Sequence, residues 1–246
     1  MFTPEGPTLL ELAAQALSST ERGYDMIAPR FDATPFRTPD LLLEPMVKAL
    51  GAPGSVACAL DVCCGTGAVL GHLRPLCRSY VTGIDFSTGM LSQARERFCD
   101  EQDGGAEVRL VQGDVLAMPF EEEFDLVATC GALGHFEPHQ HDALVGQIFK
   151  ALKPGGRFAC VARRPLTPRE RTWWYYQGFN AVMRVRNTLL KPPFVMYYLQ
   201  FNIHRALDVL TRQGFLVEVL TPFAPPHDPF RLVVGTRPLE GPGGDG

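Results

Sequence analysis

Short apolar runs alternate with segments of helical periodicity along most of the chain. Runs near 56–62, 80–84, 108–112, 124–129 and 157–162 are separated by stretches long enough for a helix, and two more lie near 215–220 and 230–235. Helical connections between successive strands favour parallel pairing. The pattern therefore predicts an α/β protein with a Rossmann-like, doubly wound, mainly parallel sheet of seven strands.

Two stretches fall outside this alternation, and they suggest a division of the chain. Residues 1–50 are expected to form an N-terminal helical cap, 51–162 the main part of the core, 163–202 an insertion rich in aromatic residues, 203–238 the completion of the core and 239–246 a flexible tail. In open sheets of this kind the ligand lies outside the carboxyl ends of the strands. We therefore expect the site at the ends of the first, second and fourth strands.

Composition narrows the class of protein. The chain has 246 residues, 46% of them hydrophobic, which is enough for one core. The formal net charge is -4 with no long basic run, so bulk nucleic-acid binding is not expected. Seven cysteines lack the paired spacing of zinc sites, so we predict free thiols in a reducing cytoplasm and no metal. Residues 1–6 lack the basic start and apolar core of a signal peptide, so we expect none, and no uncharged run is long enough to span a bilayer.

Three motifs fall at the predicted strand ends. The run D-V-C-C-G-T-G at 61–67 joins the first strand to a helix, and its glycines let the backbone pass close to a ligand. Asp85, in G-I-D-F-S, ends the second strand, where a carboxylate can accept ribose hydroxyls. Asp114, in Q-G-D-V, ends the third and suits an adenine amine. A tight turn or a helix cap is the structural alternative for each.

Together with F-D-L-V-A-T-C-G-A-L-G-H-F and L-K-P-G-G-R-F, these motifs resemble the class I S-adenosylmethionine (SAM)-dependent methyltransferases. The resemblance is greatest to the branch containing the ubiquinone and menaquinone biosynthesis enzymes and many small-molecule methyltransferases, and it covers about residues 23–236. It implies SAM as cofactor and a small or medium-sized, largely apolar methyl acceptor.

The resemblance also implies roles for the residues of the glycine loop. Asp61, Gly65 and Gly67 would surround the methionine part of SAM, with Cys63 and Cys64 in the same loop. The family usually has glycine at the position of Cys63, and we expect the cysteine to adopt an ordinary negative φ. The adjacent thiols raise redox chemistry as an alternative.

The later motifs carry the implied contacts to the nucleoside. By resemblance, Asp85 would take the ribose hydroxyls and Phe86 would flank the adenine. Asp114 would accept from the adenine amine, and Val115 would offer a backbone N–H to the ring. The carbonyl of Cys130 would meet the methionine ammonium.

Two other functions remain open at this point. An NAD(P)-binding oxidoreductase would also use an acid such as Asp85, but Leu70 stands where the third glycine of its fingerprint belongs. A non-catalytic SAM-binding or interaction module would keep the same motifs. Methylation of nucleic-acid bases is not favoured, because residues 129–132 lack the N/D-P-P-Y/F motif.

Candidates for catalysis lie before and after the core motifs. His135 follows the fourth strand and is a candidate general base, with a structural histidine as the alternative. Tyr24 lies in a segment that matches the family's Y-D-x-x-A pattern, which implies contact with the methionine carboxylate.

The aromatic insertion is predicted to form a lid over the acceptor. The residues assigned to that pocket are Trp173, Trp174, Tyr176 and Phe179. A satellite core is one alternative. An interfacial helix with weak contact to an anionic membrane surface is another, because arginines alternate with the aromatics. The acceptor atom and the oligomeric state stay open.

Overall fold

One seven-stranded sheet forms the centre of the protein. The structure, a computed structural model, describes residues 6–99, 105–225 and 229–239. Within them the strands are β1 (Val56–Val62), β2 (Cys77–Asp85), β3 (Glu107–Gln112), β4 (Phe124–Thr129), β5 (Leu152–Arg163), β6 (Leu216–Leu220) and β7 (Phe230–Thr236). Their order is β3-β2-β1-β4-β5-β7-β6, parallel as far as β5, with β7 antiparallel to both of its neighbours. The predicted Rossmann-like, mainly parallel sheet is confirmed.

Helices cover both faces of the sheet and build the segment before it. They are α1 (Leu9–Leu17), α2 (Thr20–Ile27), α3 (Asp40–Leu50), α4 (Ala68–Leu73), α5 (Thr88–Phe98), α6 (Gln140–Ala151), α7 (Arg171–Leu189) and α8 (Ile203–Arg212). Local sequence explains several starts: Thr8 and Glu11 form a capping box at α1, while Ser19 and Ser87 cap α2 and α5. The tail predicted at 239–246 lies outside the described residues except for Leu239, which is exposed.

The core has two layers because β1 is buried on both faces. Leu60 packs in one layer with Ile148 of α6 and Val209 of α8. Its neighbour Ala59 points to the other layer, with Met46 of α3 and Leu70 of α4. Strands buried on both sides are typical of parallel sheets between helices. This arrangement holds the middle strands in a rigid position.

Strand register brings the motif loops to one edge of the sheet. Val62 lies opposite Ile84, and Asp85 lies opposite Gln112, so β1, β2 and β3 end at the same level. The loops that carry the glycines and both acids therefore leave the sheet side by side. The strand bounds of β1 and β4 match the predicted ones, whereas β2 and β5 begin earlier than predicted.

The aromatic insertion consists of α7 and the segment that follows it. Met183, Phe194 and Tyr197 form a small buried cluster of their own. Asn187 accepts from the Phe194 amide at 2.9 Å and donates to its carbonyl at 3.0 Å, so the segment is tied back along the helix. Asn180 accepts from the Tyr198 amide at 3.1 Å in the same way. Among the helices of the described ranges, none has the length and apolar character needed to cross a bilayer.

Candidate active site

A cavity of about 790 Å³ opens over the carboxyl ends of the middle strands. This volume lies in the usual range for small-molecule sites. On the sheet side, the sequence-predicted residues that line it are Cys63, Cys64, Gly65, Asp85, Phe86, Asp114, Val115 and Cys130. Tyr24 and His135 also line it, and so does one predicted lid residue, Tyr176. The fold thus brings most of the predicted site together.

The glycine loop turns through left-handed backbone. Gly65 has φ +53°, and a Cβ added there would meet no atom within 4 Å, so the backbone at this point faces open space. Cys63 has φ +60°, so the expectation of an ordinary negative φ is wrong. The turn itself demands this conformation, in which glycine would be less strained.

The two loop thiols are unsuited to redox or nucleophilic chemistry. Burial raises the pKa of the Cys63 thiol well above its ordinary value, and the nearby carboxylates of Asp85 and Asp61 add to the effect. Burial raises the pKa of Cys64 in the same way. Because the thiolate is the reactive form, both sulfurs stay inert thiols. Cys64 instead packs under β2, where a Cβ on Gly83 would come within 2.8 Å of its sulfur.

Asp61 and Gly67 lie behind the loop and are not among the residues that line the cavity. Gly67 caps α4 with φ +84°, and a Cβ there would lie 2.7 Å from the Phe98 ring, so packing explains this glycine. The structure therefore contradicts the expectation, implied by the resemblance, that these two residues contact the methionine part of SAM directly.

Asp61 nevertheless places a buried carboxyl group beneath the cavity. It is 1% exposed, and neither carboxyl oxygen has a hydrogen-bond partner in the described part of the chain. Burial raises its pKa well above the ordinary value, the charge of Asp85 adds to this, and the nearby Leu70 amide opposes it without making a hydrogen bond of normal geometry. A buried carboxylate without a partner beneath the loop fits a cofactor that carries positive charge, as SAM does.

Asp85 and Asp114 each accept hydrogen bonds from backbone amides and also line the cavity. Asp85 accepts from the Gly65 amide and from the Ser87 amide, both at 2.9 Å, so it holds the loop in place. Burial raises its pKa, and the backbone amides oppose that shift. Asp114 accepts from the Leu116 amide at 2.9 Å and is otherwise exposed to the cavity. The cap and turn roles are real, and they leave carboxylate lone pairs for a ligand.

Tyr24 and His135 form a hydrogen-bonded pair at the roof of the cavity. The Val195 carbonyl can only accept, so His135 Nδ1 carries the hydrogen and donates to it at 2.8 Å. Nε2 is then an acceptor, and the Tyr24 hydroxyl donates to it at 2.9 Å. Burial lowers the pKa of His135 and raises that of Tyr24, so both are neutral near pH 7.

The N-terminal segment supplies a large part of the cavity wall, which sequence reasoning missed. The lining residues from this segment are Thr20, Phe31, Pro35, Phe36, Arg37, Thr38, Pro39 and Leu42. Thr66 of the glycine loop donates to Asp32 at 2.6 Å, which attaches this segment to the loop. The repeated Phe and Pro between 29 and 39 were the available signal, since such a run has little reason to be solvated.

The four predicted lid residues separate in the structure. Tyr176 lines the main cavity and stacks on Tyr198 at 4.6 Å, while Phe179 packs edge-on against the same Tyr198 ring. Trp173 lines a smaller cavity of about 220 Å³. Trp174 is 63% exposed and donates its indole N–H to Pro168 at 2.8 Å, so the prediction that it covers the acceptor is wrong. Helical periodicity directs it away from the face that carries Tyr176.

The far side of the cavity contains further residues, most of which lie in the predicted lid insertion 163–202. They are Arg163, Val195, Met196, Tyr197, Tyr198, Phe201 and Phe230. The Tyr197 amide donates to Gly134 at 2.8 Å, and a Cβ at Gly134 would come within 2.7 Å of the Tyr197 carbonyl. Glycine thus lets the insertion lie directly on the loop after β4.

Comparisons with known proteins find methyltransferases of similar sequence. Residues 59–156 match the family model described as a methyltransferase domain. The demethylmenaquinone methyltransferase of Oceanobacillus iheyensis is 30% identical over 142 residues, which cover 56% of this chain and 58% of that protein. The chain spans about half the length of the curated relatives it matches.

Solved structures share the fold. The YcgJ protein of Bacillus subtilis has a TM-score of 0.59 at 18% identity, covering 81% of this chain and 98% of its own. Human N-acetylserotonin methyltransferase, solved in complex with SAM, has a TM-score of 0.61 at 16% identity, covering 94% of this chain and 60% of its own. The sheet and its helices are therefore those of the Rossmann-like methyltransferases.

Proposed function

We propose that this chain is a class I SAM-dependent methyltransferase and that it transfers a methyl group from SAM to a small or medium-sized, largely apolar acceptor. The observation that carries the proposal is one cavity with two chemically different halves. Asp85 and Asp114 line the half above β2 and β3, while aromatic side chains line the half above β5 and α7. Such a cavity suits a polar nucleoside next to an apolar reactant.

Each part of SAM has a matching group in the first half. We assign the ribose hydroxyls to Asp85, the adenine amine to Asp114 and the methionine ammonium to the Cys130 carbonyl. A cation above the loop would stabilise the charged form of Asp61, whose pKa burial otherwise raises and whose oxygens have no hydrogen-bond partner in the described residues. When bound, SAM supplies a methyl group that is electrophilic without help from the protein. The protein then has to orient the acceptor and exclude water.

The Tyr24–His135 pair is proposed to take up the acceptor's proton. His135 Nε2 already accepts from the Tyr24 hydroxyl, so the acceptor's proton passes to the Tyr24 oxygen as the tyrosine proton moves to Nε2. The resulting imidazolium keeps its Nδ1–H bond to Val195. Lowered by burial, the pKa of His135 leaves the ring neutral and ready to accept at neutral pH.

For the acceptor we propose a flat ring compound. The aromatic half of the cavity contains Tyr176 stacked on Tyr198, with Phe201 and Phe230 nearby. Flat aromatic walls favour a ring by stacking. Relatives named demethylmenaquinone methyltransferases make a quinone-like ring one candidate.

Weak contact with an anionic membrane surface is a second proposal, and it rests on the outer face of α7. Trp174, Tyr175, Val182, Val185 and Leu189 are exposed on this helix. Residues 171–207 contain no aspartate or glutamate. The first part of that stretch, residues 171–191, contains three arginines and a lysine. Exposed apolar side chains on a helix in a segment without carboxylates suit a peripheral lipid contact. We also propose a cytoplasmic location, because the free cysteines of this chain would persist as thiols in a reducing compartment.

Co-sedimentation with vesicles tests the membrane contact. We expect binding to phosphatidylglycerol vesicles but not to phosphatidylcholine vesicles. Val185→Glu should abolish it, whereas Leu216→Glu, a change at an exposed residue on β6, should not. Equal binding by both variants would contradict the assignment to α7.

Calorimetry and mass spectrometry test the main proposal. We expect SAM to bind more tightly than NAD. Asp114→Ala should lower the affinity for SAM roughly tenfold, which corresponds to the loss of about one hydrogen bond to a charged group. Glu218→Ala, at an exposed acid on β6, is the control. A host extract incubated with labelled SAM should yield a labelled product. SAM binding without any product would favour a non-catalytic module, and tighter NAD binding would favour an oxidoreductase.

A further inference from the structure

Arg163 occupies an unusual position at the boundary of two cavities. It is the last residue of β5 and pairs with Phe230 of β7. Its side chain lines both the main cavity and the smaller cavity beside Trp173. The Nε atom is buried without a hydrogen-bond partner, and within the described ranges the guanidinium forms no hydrogen bond or ion pair. It lies 5.8 Å from the centroid of the Phe230 ring.

Neighbouring arginines are paired, which sets Arg163 apart. Arg37, the other arginine that lines the main cavity, bonds to Asp40 at 3.0 Å. Arg164, the next residue in the chain, bonds to Glu170 at 2.8 Å. Leaving a buried donor without a partner is costly, and for a charged group the cost is larger. A ligand that supplies acceptor oxygens would remove that cost.

The strand order places Arg163 on the acceptor side. Asp85 and Asp114 follow β2 and β3, on one side of β1, whereas β5 lies two strands away on the other side. Two strand spacings correspond to roughly 10 Å. The guanidinium lies over the Phe230 ring, and Phe201 lines both cavities together with Arg163. A group bound by Arg163 therefore belongs to the acceptor and not to the nucleoside.

We infer that Arg163 binds a carboxylate carried by an aromatic acceptor. A guanidinium presents a planar fork of donors that matches the two oxygens of a carboxylate, and bonds between two charged groups are stronger than neutral ones. Naming the ligand as the acceptor rests on the proposed methyltransferase function; the anion site itself does not. A neutral analogue would leave the guanidinium unpaired, so the site selects against it.

Binding of 2-naphthoate and of its methyl ester tests the inference. Calorimetry is done with S-adenosylhomocysteine present, so that no methyl transfer occurs. We expect the wild-type protein to bind naphthoate at least tenfold more tightly than the ester. Arg163→Met should lower the affinity for naphthoate by about ten- to a hundredfold and change the affinity for the ester by less than threefold. Arg163→Lys should show a smaller loss of naphthoate affinity than Arg163→Met. The control Arg109→Met, at an exposed arginine on β3, should bind both ligands as the wild-type protein does.

Thermal melting separates a binding role from a structural one. If Arg163 has no partner before ligand binds, Arg163→Met should melt at or above the wild-type temperature, because a buried donor without a hydrogen-bond partner is removed. A clearly lower melting temperature would show a structural role and overturn the inference. So would a wild-type protein that binds naphthoate no better than its ester, or an equal loss of both in Arg163→Met. Failure of SAM to bind would overturn the proposed function and leave the naphthoate result to be judged by itself.

Discussion

The two halves of the cavity are held in place by different means. In the cofactor half, strand register and the two amides bonded to Asp85 position the ligand-facing atoms. In the acceptor half, the segment 194–198 lies outside the sheet and is held by side-chain bonds from Asn180 and Asn187 and by the backbone bond from Tyr197 to Gly134. A site backed by a sheet tolerates change around it, whereas one held by a few side chains is sensitive to each of them. The two halves should therefore fail in different ways.

The largest expected effect comes from breaking the acceptor half at its small core. Phe194 is 3% exposed and stacks on Tyr24 with 6.3 Å between ring centroids. Phe194→Ala should lower the free energy of unfolding by about 3 to 5 kcal/mol, because a cavity replaces the ring. Urea denaturation measures this, with the exposed Leu189→Ala as control. A loss no greater than that of the control would mean that the insertion adds nothing to the folded core.

Next in size is the residue where the halves meet. His135→Gln should lower turnover roughly a hundredfold or more and leave SAM affinity unchanged, since only proton uptake is lost. Tyr24→Phe should lower turnover as well, because the proton passes through its hydroxyl. Turnover within a few-fold of wild type in both variants would show that positioning alone drives the reaction.

The pH dependence follows from the same histidine. Burial holds the pKa of His135 below its ordinary value of 6.5, so turnover should stay constant as pH falls past 6.5 and decline only at lower pH. Stability changes earlier: below pH 6.5 the unfolded chain binds a proton at this residue that the folded chain does not, so folding weakens as pH falls. Melting curves from pH 8 to 5 should show a smaller loss in His135→Gln.

Breaking the cofactor half should cost affinity more than stability. Asp85→Ala removes the carboxylate proposed for the ribose and also frees the Gly65 amide, so SAM affinity should fall roughly a hundredfold, or about 2 to 3 kcal/mol. Asp208→Ala, at an exposed acid on α8, serves as control in the same titration. Unchanged SAM affinity in Asp85→Ala would remove the basis for the assignment.

The smallest effect defines the edge of the acceptor half. Trp174→Ala should change the free energy of unfolding by less than about 0.5 kcal/mol and KM by less than about twofold, because the ring faces solvent. Tyr198→Ala, by contrast, should raise KM several-fold, since its ring lines the cavity. A large kinetic effect of Trp174→Ala would mean that α7 rotates or moves when the acceptor binds.

Most residues that sequence patterns predicted for the cofactor line the cavity, whereas of the four predicted lid residues only Tyr176 lines it. Gly65, Asp85 and Asp114 follow directly after strands, so their place in the fold follows once the strands are known. Trp174 shows the opposite case. Its aromatic character suggested burial, yet one residue of helical rotation separates it from Trp173, which faces a cavity.

The sequence by itself determined the α/β class, the order of the motifs and the position of two acids at strand ends, because strands and the loops after them are encoded by residues close together in the chain. Only the tertiary structure decided that Tyr24 bonds to His135 across the cavity, that Asp61 is buried beneath the loop without a partner and that Arg163 faces the aromatic half. Each of these depends on contacts between segments far apart in the chain. Local periodicity contains no information about which distant segment will pack there.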